Sequence, residues 1–132
     1  MNSCYIVIAG SKFEALVALT HDEQAVGLMY RDPPLPAMVF PYPTQKINKF
    51  WMQNTKQALD ILFCLDSKVV SICKGMPYST SIIGSDTPSD LVIELPAGTC
   101  ALNGIKVGDS ARPQYSVDSL MKLFMMKSGL QI

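Results

Sequence analysis

Phe50-Trp-Met-Gln-Asn-Thr-Lys-Gln-Ala-Leu-Asp-Ile-Leu-Phe-Cys-Leu65, then Asp66-Ser67, then Lys68-Val-Val-Ser-Ile-Cys73: this stretch holds the only tryptophan and the densest apolar run of the chain. It also sets a polar group, Asn54, Thr55 and Asp60, among residues that favour burial. Leu59 to Leu65 is almost continuously apolar and short, which favours a buried strand over a helix, and it stops at a turn pair. With Asp66-Ser67 as the whole loop, Leu65 pairs with Lys68, and the register sets Phe63 opposite Val70 and Ile61 opposite Ile72 on a core face. The other face reads as mixed, with Leu62 opposite Ser71, Cys64 opposite Val69, and Asp60 near Cys73. A buried, unpaired carboxylate is costly, so Asp60 must reach water or accept hydrogen bonds; Arg31, Asn54 and Thr55 are the candidate partners.

Two readings of Asn54-Thr55 stand side by side. Both residues are common in turns and can simply close a bend between strands, the more frequent outcome. Alternatively Trp51, Asn54, Thr55 and Asp60 line a small pocket with an aromatic wall.

Five separated motifs, in order, resemble the domain of unknown function 192 family. They are Gly27-Leu-Met-Tyr-Arg31, Phe50-Trp-Met-Gln-Asn-Thr55, Leu59-Asp-Ile-Leu-Phe63, Ile93-Glu-Leu-Pro-Ala-Gly98 and Gly104-Ile-Lys-Val-Gly-Asp109. The resemblance covers about residues 13–111. It implies a compact, mainly-β domain of the sandwich or jelly-roll kind with short helices, and no established reaction. This chain departs from the family's usual pattern at Ala37, where glycine is common, and at Ala58, where proline is.

At 132 residues the chain is read as one domain, 1–132, long enough to bury a core without staples. Lys plus Arg and Asp plus Glu each number 11, a balance that argues against binding a phosphate backbone. Lys46, Lys49 and Lys56 surround Phe50 and Trp51, which suits either base stacking or a strand edge guarded by lysines. The four cysteines have no paired close spacing, so four reduced thiols and no zinc site are expected. No cofactor, metal, nucleic acid or membrane is expected as a partner. The first ten residues lack the basic start and long apolar core of a signal peptide, and no apolar run approaches the roughly twenty residues of a membrane span. The expected location is the cytosol, or a particle assembled there.

Along the chain, Cys4–Ala9 and Phe13–Leu19 read as a hairpin turning at Gly10-Ser11. Thr20-His-Asp-Glu23 is a capping box opening a short helix toward Met29, with the sole histidine in its first turn. Prolines at 33, 34, 36, 41 and 43 confine Met38–Phe40 to a short strand, expected at a sheet edge. Lys74–Pro88 reads as a long loop with a short strand at Ser81–Gly84, the first choice for a pocket rim. Leu91–Leu95 is a buried strand carrying Glu94, which is either a cap or ion-pair partner or a second pocket carboxylate facing Asp60. One or two helical turns then close at Gly104.

Ser116 caps a last helix over residues 116–128, stopped by Gly129. Val117, Leu120, Met121, Phe124 and Met125 share one face, which Leu123 and Met126 widen. Packing on its own sheet is the commoner role of such a helix. The alternative is a methionine-rich stripe, Leu120, Met121, Leu123, Phe124, Met125 and Met126, offered to another chain.

No nucleophile elbow, phosphate loop or dinucleotide fingerprint occurs, and one histidine cannot support the usual triads. The leading expectation is a non-catalytic module binding a protein or small ligand at Arg31, Trp51, Asn54, Thr55, Asp60 and Glu94. A structural protein of a repeated assembly, an oligomer or virion decoration, is the second. A hydrolase or isomerase using Asp60 and Glu94 is the third, and it requires both carboxyls in one cleft.

Overall fold

The computed structural model describes residues 1–84 and 86–129. Seven strands form one mainly antiparallel sheet: β1 (Asn2–Ile8), β2 (Ser11–Val17), β3 (Ala37–Lys46), β4 (Leu59–Leu65), β5 (Lys68–Gly75), β6 (Ser89–Pro96) and β7 (Ala111–Gln114). Their spatial order is β5-β4-β6-β3-β2-β1-β7. The single parallel pairing joins β2 to β3. The two edges approach each other, because Lys68 bridges Ser110 and the Val69 amide donates to the Asp109 carbonyl at 2.9 Å, so the sheet curls toward a half-barrel. Three helices accompany it: α1 (His21–Val26), α2 (Thr99–Asn103) and α3 (Val117–Ser128).

Both faces of the sheet are buried at its centre, which is why residues 37–40 of β3, 61–65 of β4 and 91–93 of β6 read as apolar runs. One core gathers side chains from all seven strands, among them Ile6, Val17, Val39, Leu62, Val69, Ile93 and Ala111, with Cys100 of α2 and, at its margin, Leu123 and Met126 of α3. The second, smaller core lies behind β3, β4 and β6, where Met38, Phe40, Leu59, Ile61, Phe63 and Val92 meet Leu28, Leu35 and Met52.

The β4–β5 hairpin turns at Asp66-Ser67 with Leu65 opposite Lys68 and Cys64 opposite Val69, as the sequence indicates. A bulge at Val70 then shifts the ladder, so Phe63 faces Ser71, Ile61 faces Cys73 and Asp60 faces Lys74. The extra residue sends Ile72 to the first core and Val70 to the second. The expected mixed face of β4 is fully apolar apart from Asp60. The first hairpin turns at Ala9-Gly10, one residue earlier than expected, with φ of 50° and 84°. Positive φ at both positions is what a two-residue loop needs to match strand twist.

Strand β3 is interior rather than an edge, paired to β2 over Ala37–Val39 and to β6 on its other side. Its prolines are tolerated because Pro41 and Pro43 lie beyond the β2 ladder, in a stretch where pairing to β6 is itself irregular. The capping box forms as read: the Glu23 amide donates to Thr20 Oγ1 at 3.1 Å and Glu23 Oε1 accepts from the Thr20 amide at 3.0 Å. Helix α1 stops earlier than expected, at Gly27, whose φ is 53°. None of the helices among the described residues is long and apolar enough to cross a membrane.

Candidate functional site

Alternation along β6 sends Leu91, Ile93 and Leu95 into the first core and Val92 into the second. Glu94 follows Val92 onto that second side, opposite Met38 of β3 and Ile61 of β4, both wholly apolar. Its side chain is 4% exposed, and none of the hydrogen bonds or ion pairs among the described residues engages its carboxyl. No polar side-chain atom sealed from solvent lacks a partner there, so the unpartnered carboxyl must open onto a cavity. Burial alone pushes its pKa from the ordinary 4.5 up to about 8.

The cavity is a cleft of about 210 Å³ whose polar and aromatic walls include Glu94, Tyr42, Phe40, Phe50, Trp51 and Thr55. Each wall has a local cause. Phe40 and Tyr42 alternate onto the same side of β3 as Met38. Phe50 is pinned by paired backbone hydrogen bonds with Ile83, both 2.8 Å, and its ring meets Phe40 edge-on at 5.1 Å. Thr55 is buried at the crossing of two loops, its amide donating to the Met52 carbonyl and its carbonyl accepting from the Tyr78 amide. The roof is α1 and the turn after it: Gln24 Nε2 donates to the carbonyls of Ala18 and Pro41, tying the helix across the strand ends. Gly27 comes close enough to Phe40 that a Cβ there would lie 3.5 Å from the ring.

Of the residues singled out from sequence, Trp51, Thr55 and Glu94 line this cleft, and Arg31, Asn54 and Asp60 do not. Trp51, 43% exposed, stands between it and a shallow recess shared with Lys49, Phe50 and Ile82. The long loop supplies only Ile82 to that recess; the rim of the main cleft comes from α1 instead. Arg31 is exposed and makes no ion pair with Asp60. Asn54, at φ 55°, donates from Nδ2 to Tyr30 Oη at 2.9 Å and accepts the Tyr30 amide on its carbonyl, a reciprocal latch between two loops.

Asp60 is buried on the opposite face of the sheet, where Oδ2 accepts from the amides of Gly98 at 3.1 Å and Cys100 at 3.0 Å. It therefore satisfies the start of α2, which has no capping side chain of its own. Because Asp60 pairs with Leu95 while Glu94 pairs with Ile61, the two carboxyls project to opposite sides. A paired-carboxylate mechanism has no cleft in which to operate. At Cys4, Cys64 and Cys100 thiolate chemistry is disfavoured, since burial raises Cys4 to about 11 and Cys64 and Cys100 to about 12.

The lining residues missed from sequence include Phe40, Tyr42 and Gln24, while Phe50 reads beside Trp51 only as a stacking or edge residue. A readable signal existed in β6, because a glutamate inside a strand buried on both faces has to occupy a core.

Helix α3 packs on its own sheet, the commoner of its two expected roles, but through a different face from the one read in the sequence. Leu123 and Met126 dock on the first core, while Val117, Leu120, Met121 and Phe124 are exposed, Phe124 by 69%. Met125 is half-buried.

A curled, mainly-β sheet with both faces buried and a carboxyl-bearing aromatic cleft on its back defines the class of protein. Residues 5–113 match the DUF192 family, described as an uncharacterized ACR, and the chain belongs to that family. A crystal structure from Sinorhizobium meliloti, described as that of a candidate transcription regulator, superposes with a TM-score of 0.76 at 29% identity, covering 85% of this chain and 92% of its own. A protein of unknown function from Novosphingobium aromaticivorans gives a TM-score of 0.72 at 30% identity, with 83% of each chain covered. Comparison with curated proteins finds no match.

Proposed function

We propose that this domain is a non-catalytic module that binds a small, ring-bearing ligand in the cleft between α1 and the back of the sheet. The observation that carries the reading is the buried Glu94 carboxyl, which opens onto aromatic walls without a protein partner. Polar groups converging among aromatic walls, one of them a carboxyl whose pKa is displaced, are a feature of recognition sites. The size suits a small molecule, since a dry cavity of roughly 150 Å³ holds benzene. A sensing role fits the description of the Sinorhizobium neighbour, although the balanced charge of this chain gives no support for direct DNA contact.

Trp51 makes the test direct. A panel of monocyclic compounds is screened by Trp51 fluorescence and thermal melting. Expected is at least one compound that moves both, because ligand at a hundredfold excess over Kd adds about 2.7 kcal/mol. A panel that shifts neither removes the reading.

A second reading, assembly of copies of this chain, is favoured by the exposed stripe Val117, Leu120, Met121 and Phe124. The helix carries Asp118 in its first turn and Lys127 in its last, so two antiparallel copies would place opposite charges together. Its test is the native mass, taken up below.

A further inference from the structure

Resting on the cleft reading above, we infer that the ligand is a small organic cation, an amine held as ammonium between the Glu94 carboxyl and the faces of the surrounding aromatic rings. Three features of the cleft select that chemistry. Among the described residues Glu94 is the only carboxyl in the lining, and none of their cations pairs with it. An arriving ammonium supplies the missing partner, while an anionic ligand would be repelled by the carboxyl once it ionises. Phe40, Tyr42, Phe50 and Trp51 present four aromatic rings, whose negative faces attract a desolvated cation.

The other charged or titratable groups in the described lining are Lys49 and Tyr42. Lys49 lies at the rim, and its ammonium is held by the Gly84 carbonyl and the Asp86 carboxylate, both at 3.4 Å. Tyr42 faces Glu94 from β3, and burial followed by that carboxyl's charge keeps its hydroxyl protonated. From β4 and β3 the facing neighbours are Ile61 and Met38, which do not titrate.

The raised pKa of Glu94 adds a proton balance to this geometry. Below pH 8 the empty cleft holds Glu94 protonated, and pairing with an ammonium requires the carboxylate, so each binding event releases about one proton to solvent. Affinity for an amine therefore rises about tenfold per pH unit from pH 6 to 7.5, as long as the amine itself stays charged.

Benzylamine and benzyl alcohol are suitable probes, being nearly the same size and differing in charge. Calorimetric titration of the full chain at pH 6, 6.75 and 7.5, in two buffers of different ionisation enthalpy, reads affinity and proton release together. Expected is a preference for benzylamine of tenfold or more at pH 7.5, release of close to one proton, and the stated pH slope. Glu94→Gln, which keeps the shape of the side chain, should erase both the preference for benzylamine and the pH slope. Equal affinity for the two probes in the unmodified chain, or amine binding without proton release, overturns the inference and leaves the cleft reading standing. If neither probe binds and the wider panel also fails, both fall. Because the decisive comparison uses the unmodified chain, it does not depend on the variant folding.

Discussion

Glu94 costs the fold something that can be measured. Its folded pKa of about 8 lies above the ordinary 4.5, so between those values the native state binds more protons than the unfolded one. Stability then falls as pH rises through that window, by roughly 1.4 kcal/mol per pH unit at most, and stops falling above pH 8. Glu94→Gln should match the parent near pH 4 and exceed it by on the order of a few kcal/mol at pH 8 to 9. Urea denaturation at a series of pH values checks this, and parallel stability profiles would refute it. Asp60 has the opposite character, a carboxylate with a structural task. Asp60→Ala leaves the Gly98 and Cys100 amides without an acceptor and should cost about 2–5 kcal/mol, with Asp60→Asn losing less. Near-identical melting curves for Asp60→Ala would show that α2 caps itself. The sequence announced that Asp60 needed a partner and offered Arg31, Asn54 and Thr55. The true donors are backbone amides 38 and 40 residues further on, which carry no residue signature.

Elements were more legible than their partners. The capping box at Thr20, the turn at Asp66-Ser67, the Gly104 and Gly129 helix ends and the strand nature of Leu59–Leu65 follow from local chemistry, and each forms. The Val70 bulge did not follow, since nothing in Lys68–Cys73 distinguishes a regular ladder from one with an extra residue. Nor did the docking side of α3. Seven apolar residues wrap so much of that helix that periodicity alone cannot choose between Leu123 with Met126 and Leu120 with Phe124. The β4–β5 turn offers a test of local strain. Asp66 and Ser67 have φ of 51° and 64°, and the second position of such a turn favours glycine. Ser67→Gly should stabilise the protein by about 1 kcal/mol, read as a higher urea midpoint with an unchanged slope. A lower midpoint would mean that glycine's added freedom in the unfolded chain outweighs the relief.

The fold is one mainly-β sheet, as the family resemblance of the five motifs implied, yet the cleft arises only from tertiary assembly. Its walls come from β3, β6, α1 and the loop after β3, segments from residue 24 to residue 94 that no short motif could relate. At this scale the question of self-association belongs to α3. Because Asn2 Nδ2 donates to Asp118 Oδ2 at 2.8 Å and Leu123 and Met126 cover the core, deleting the helix would strip the fold along with any interface. Leu120→Ser with Phe124→Ser alters the exposed side alone. If the full chain is a dimer by light scattering, the double variant should be a folded monomer with little change in melting temperature. A full chain that stays monomeric at hundreds of micromolar would exclude the assembly role.

Strand order differs from chain order at one telling place: β1 lies between β2 and β7, with Tyr5 to Ile8 laddered to residues 111–114. During synthesis the hairpin of β1 and β2 can close while the chain is still short, but the outer side of β1 stays bare until some hundred further residues have left the ribosome. For that interval each nascent chain displays an unguarded strand edge to its neighbours on the same message. The seventh strand is the one that covers it.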